Sequence, residues 1–106
     1  MVDRELEALK LEFLSEAKAK VLEMTKAVDG GRDSESLQRL AYLAHQLKGS
    51  GGSYGYAHIS NDAAEIEKTV EQITSGGSHE DAESLLKAKV ASLKAAVDDA
   101  EKEVAG

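Results

Sequence analysis

The chain has 106 residues, with 13 basic and 20 acidic side chains, a formal charge of -7, and neither cysteine nor proline. That length makes one domain, able to bury roughly two-thirds of its unfolded surface but too short to hold a nucleotide-binding kinase module as well. The acidic balance argues against nucleic acid and anionic membranes as partners, the missing cysteines exclude disulfides and thiolate metal sites, and no run has the length of a signal or membrane segment.

Ala, Leu, Glu and Lys dominate and aromatic residues are scarce, so long helices are the natural outcome. Asp3 can cap a first helix over residues 4–28, where Leu6, Leu9, Phe13, Ala17, Met24 and Val28 form an apolar stripe and Gly30-Gly31 ends the run. Asp33 or Ser34 opens a second helix over 34–54, with Leu37, Leu40, Ala44, Leu47, Gly51 and Tyr54 turned inward, and Gly55 breaks it. A third follows over 57–75, carrying Ile59, Ala63, Ile66, Val70 and Ile73 at steps of four and three, and Gly76-Gly77 close it. Ser78 with Asp81 makes a capping-box-like start for a fourth helix over 79–104, whose inward set is Ala82, Leu86, Leu93, Val97, Ala100 and Val104.

Four such helices cannot bury their stripes alone, and short connections favour antiparallel neighbours. The expected fold is all-α, an antiparallel up-down-up-down four-helix bundle formed by residues 1–106 as a single domain. Segments separated by paired glycines fold back more readily than they extend into an intermolecular coiled coil, so a monomer is expected. With so few aromatics, Phe13 should be the largest fully apolar anchor of the core.

The second helix has a further face. At about 100° per residue, His45, Lys48, Gly49 and Gly52 fall on one solvent-facing side, opposite the apolar stripe. A neutral imidazole with an unperturbed pKa of about 6.5 is a good nucleophile near neutrality. Lys48, one turn on, offers a compact ammonium to phosphate oxygens as negative charge gathers at the ring. Gly49 and Gly52 remove side chains that would keep another protein from closing over His45. Glycine inside a helix costs roughly 0.5 to 1 kcal/mol against alanine. Gly49, Gly51 and Gly52 accumulate that cost within one turn, which a purely structural helix would rarely accept. Without the histidine and lysine, Gly51 and Gly52 would read as a fraying helix end before Gly55.

Other chemistry finds little support. His58 and His79 form no i, i+4 pair with another histidine and should be exposed. The acidic residues occupy mainly outward positions, so no metal site is expected. Ser, Thr and Asp lack a placed base for a hydrolytic triad, and the glycine pairs are spaced as helix stops rather than as a phosphate loop. No enzyme active site and no cofactor site emerges.

The run from His45 through Leu47, Lys48, Gly49 and Ser50 to Tyr54 and Gly55 resembles the signature of histidine-containing phosphotransfer (HPt) domains, H-x-L-K-G-[SA]-x-x-x-[LFY]-G. Ile59, Ala63 and Ile66-Glu67 stand where the family pattern continues on the next helix, with Ala63 at a position that is commonly cysteine. The resemblance implies a phosphorelay intermediate. His45 would take a phosphoryl group from the aspartate of one response-regulator receiver domain and pass it to another. Lys48 would be the electrostatic partner, Gly49 the clearance residue, and Glu67 the side chain that hydrogen-bonds the other ring nitrogen and orients it.

Such a domain is a phosphocarrier without its own ATP-binding or kinase site. Its partners would be receiver domains and a hybrid histidine kinase in the cytoplasm, with magnesium on the receiver. Docking needs an apolar patch near His45, for which Tyr42 and the off-stripe Leu11 are candidates beside Gly52. Two other readings compete. A histidine-kinase dimerisation helix pair would carry an H-E-L-R-T-P type box, absent here. A phosphorylation-independent helical adaptor has no use for His45, Lys48 and Gly49 together.

Overall fold

The computed structural model describes residues 4–29, 33–76 and 82–105. They form α1 (Arg4–Asp29), α2 (Ser34–Ser53), α3 (Ala57–Thr74) and α4 (Ala82–Ala105), in an all-α arrangement. Each helix packs on its chain neighbours and α4 closes the ring against α1, giving a rod of 51 × 20 × 19 Å. The cross-helix contacts run in opposite chain directions. Phe13 and Glu23 of α1 meet Tyr54 and Arg39, His45 and Gly51 of α2 meet Glu67 and Ser60, and Asp62 and Glu65 of α3 meet Ser92 and Lys89.

Local chemistry sets the helix ends. Asp33, in extended conformation, accepts the Ser36 backbone N–H at 2.7 Å and caps α2, while Ser34 is already helical. At the other end, Tyr56 N–H reaches the Gly51 carbonyl at 2.8 Å and Gly55 N–H reaches that of Gly52 at 3.2 Å. This paired closure requires a left-handed residue just past the cap, and Gly55 supplies it at φ 83°. Gly76 ends α3 likewise at φ 89°. The Asp3 cap, the Gly30-Gly31 stop, Gly77, the Ser78–Asp81 start and His79 lie outside the described residues.

Among the described residues, twenty buried apolar side chains fill the axis, including Phe13, Leu14, Met24, Leu40, Leu43, Leu47, Ile59, Ile66, Leu93 and Val97. The inward stripes are wider than sequence periodicity predicts. Leu14, Val21, Leu43, Thr69 and Val90 are buried as well, because each helix faces two neighbours rather than one. Ala82, Tyr54, Ile73 and Val104 are only half-buried.

Leu6 and Leu9 depart from expectation: they are 43% and 48% exposed. Lys18 sits level with Glu101, so in the antiparallel register the end of α4 comes level with Leu14. The first turns of α1 lie at the margin of the bundle, beyond the level of the last turn of α4. Phe13 closes the core just below, its ring stacked with Tyr54 at 5.0 Å and with Tyr56 at 5.9 Å, and Lys10 lies over the Tyr56 ring.

Candidate functional site

α2 carries His45 on its exposed side, toward α3. The imidazole Nδ1 lies 2.9 Å from Glu67 Oε2, and the side chain is 65% exposed. The other carboxylate oxygen, Oε1, accepts a hydrogen bond from Lys48 Nζ at 2.7 Å. One carboxylate on α3 thus holds two side chains from successive turns of α2. Glu67 is the least exposed of the three, at 21%, and forms the fixed point of the cluster.

The Lys48 ammonium, with the His45 N–H adding to it, holds the Glu67 carboxyl below the usual carboxylate range against the opposing effect of burial. A carboxylate so held accepts from Nδ1–H and fixes the tautomer in which Nε2 carries the lone pair. The nitrogen available to an incoming electrophile is Nε2.

The glycines differ in their surroundings. A Cβ placed on Gly49 would meet nothing within 4 Å, and one on Gly52 would make ordinary contact with Ser60 Oγ at 3.6 Å. A Cβ on Gly51 would press on Ile59 Cγ2 and Ser60 N, both at 3.2 Å. Gly51 therefore lets α2 and α3 approach closely, and beside it the Ser60 hydroxyl donates to the Lys48 carbonyl at 2.8 Å. That seam sets the distance between Glu67 and the histidine. Gly51 was placed inward by periodicity, but its service to the α2–α3 approach has no mark in the sequence apart from that position.

Tyr42 stands on the same exposed side of α2, its hydroxyl accepting from the Gln46 amide at 2.9 Å and its ring beneath Arg39. Arg39 also binds Glu23 of α1. Leu11 is exposed on α1. It shares a stripe with Ser15, Lys18 and Leu22, which line the groove between α1 and α4. Periodicity identified an exposed stripe but not which neighbour it adjoins.

His58 is exposed beside the α3–α4 groove, away from His45. Among the described residues no group of three or more His, Asp and Glu side chains is arranged to hold a metal ion, and no helix is long and apolar enough to cross a membrane.

The family model of the Hpt domain matches residues 8–103. No curated protein and no solved structure matches the chain. The Hpt match spans all four helices and includes the His45, Lys48 and Glu67 cluster, and on that match the chain belongs to the Hpt domain family.

Proposed function

We propose that His45 is the phosphoacceptor of this domain, taking a phosphoryl group from the aspartate of one receiver domain and delivering it to that of a second. Family membership supplies the coarser statement: an Hpt domain serves histidine phosphotransfer in phosphorelays, as a phosphocarrier that works with receiver domains and histidine kinases. The observation that carries the finer reading is the Nδ1–Glu67 contact at 2.9 Å on a ring that is otherwise open to solvent.

In the transfer, the Nε2 lone pair attacks phosphorus and the bond to the aspartyl oxygen breaks, its electrons leaving with the carboxylate. The ring keeps its Nδ1 proton and ends as a phosphorylated imidazolium, whose positive charge Glu67 stabilises. Both bonds are high in energy, so the step runs in either direction. Gly49 gives the visiting active site room, and Tyr42, Leu11 and Gly52 are assigned to the docking face. A hybrid histidine kinase stands upstream, magnesium belongs to the receiver, and this chain acts as a cytoplasmic monomer without a cofactor, nucleic acid or membrane partner.

Incubation with a phosphorylated receiver domain tests the reading. The expected result is alkali-stable, acid-labile label on this chain that vanishes in His45→Gln. Label that persists in this variant moves the acceptor elsewhere and ends the proposal.

A further inference from the structure

Lys48 does not stand free beside the histidine. Its ammonium is 2.7 Å from Glu67 Oε1, on the carboxylate that holds His45 Nδ1 through Oε2. Before transfer the local charges are one carboxylate, one ammonium and a neutral ring, and the carboxylate serves both neighbours. After transfer the ring is cationic and a phosphoryl group of about two negative charges is attached to Nε2. One carboxylate then faces two cations while the dianion lacks one, an arrangement that a single exchange of partners relieves.

We propose that Lys48 changes partner during the reaction, leaving Glu67 for the phosphoryl oxygens as the full charge of Glu67 passes to the imidazolium. This rests on His45 being the acceptor. His45 and Lys48 stand at i and i+3 on α2, so their Cβ atoms are about 5–6 Å apart and a four-carbon stem reaches either partner. The Lys48 side chain is more exposed than that of Glu67, leaving it freer to move while the carboxylate stays.

The surrounding charges favour the exchange. From α3, Glu67 is the charged side chain bonded to the ring, with Lys68 and Glu71 exposed further along that helix. From α1, Glu23 is engaged by Arg39 on the opposite flank of α2. Ser60 anchors the Lys48 backbone through its carbonyl, so the exchange is a motion of the side chain alone.

Glu67 thus has a second task besides orienting the ring: it keeps the lysine in place until a phosphoryl group arrives. The step consumes no proton, since Nδ1–H and the ammonium both persist. With phosphoramidate as donor, the breaking bond is P–N and ammonia leaves.

The test uses the isotopically labelled full chain, phosphorylated by phosphoramidate at neutral pH and followed by nitrogen-15 and phosphorus-31 NMR. In the unphosphorylated protein, Glu67→Gln should shift the Lys48 ammonium signal. In the phosphorylated protein that sensitivity should disappear, and Lys48→Met should instead shift the phosphohistidine phosphorus signal. A Lys48 signal that phosphorylation leaves unchanged, or a phosphorus signal indifferent to Lys48→Met, overturns the exchange.

Labelling rates give a second reading. Lys48→Met should slow phosphorylation about tenfold whether position 67 carries Glu or Gln. A slowing confined to the Glu67 background means that the cation acts only through the carboxylate, and the exchange is wrong. Failure of phosphoramidate to label His45 at all would instead overturn the acceptor assignment, so the two failures are told apart.

Discussion

At Glu67 one side chain couples stability to the chemistry of the site. The Lys48 ammonium, joined by the His45 N–H, holds its carboxyl below the usual carboxylate range, so the folded state binds that proton less readily than the unfolded chain. The stabilisation this gives is fully present above the unfolded value and is lost as pH falls through the folded one. We therefore expect the wild-type protein to lose more stability than Glu67→Gln between about pH 6 and about pH 3, read from urea midpoints at each pH. An equal loss in both would mean that the carboxylate is not held by its neighbours in solution. His45, Lys48 and Gly49 were legible from residue type and spacing alone. Glu67 was not, since nothing in its own surroundings separates it from the other acidic residues of a chain that has 20; only the resemblance singled it out. Which of its oxygens faces which partner depends on how far apart two helices pack.

Among the elements, α2 shows most directly how helix stability and access to the site oppose each other. Gly49→Ala adds a Cβ into open space, so it should stabilise the protein by about 0.5 to 1 kcal/mol through helix propensity. The same methyl group narrows the approach to His45, and phosphotransfer from a receiver should slow. A rise in the urea midpoint with a fall in transfer rate is the expected pair of results. Gly51→Ala should do the reverse for stability, with a net loss of about 1 kcal/mol, since its Cβ meets Ser60 N at 3.2 Å and backbone yields little. Gly55→Ala forces an L-residue to φ 83° and should cost about 1 kcal/mol, measured in the same way. The helix starts and stops at Asp33, Gly55 and Gly76 were readable because caps and left-handed turns select residue types locally. The different tasks of Gly49 and Gly51 were only partly so: periodicity separates outward from inward, but a 3.2 Å approach to α3 is a property of the seam.

For the whole molecule, the closed ring of four helices explains both what is buried and what is left exposed. Phe13 joins α1 to the α2–α3 turn through its stacks with Tyr54 and Tyr56. Truncation to Ala should cost about 3 to 5 kcal/mol. That is a large share of the roughly 5 to 15 kcal/mol typical of a domain, and calorimetry or urea unfolding should show it as a strongly lowered midpoint. A loss below about 1 kcal/mol would mean that the ring is not packed as described. The bundle also corrects the reading of α1. Leu6 and Leu9 have the right period for a core and are exposed, because they lie at the margin of the bundle, where a stripe is only partly covered. Composition, period and punctuation determined the helices, their order and the face that carries His45, since each of these follows from interactions within a few residues along the chain. Only the tertiary structure decided that Glu67 bridges the imidazole and the ammonium and that Gly51 sets the seam. Those outcomes depend on the distance and register between helices, which no single helix specifies.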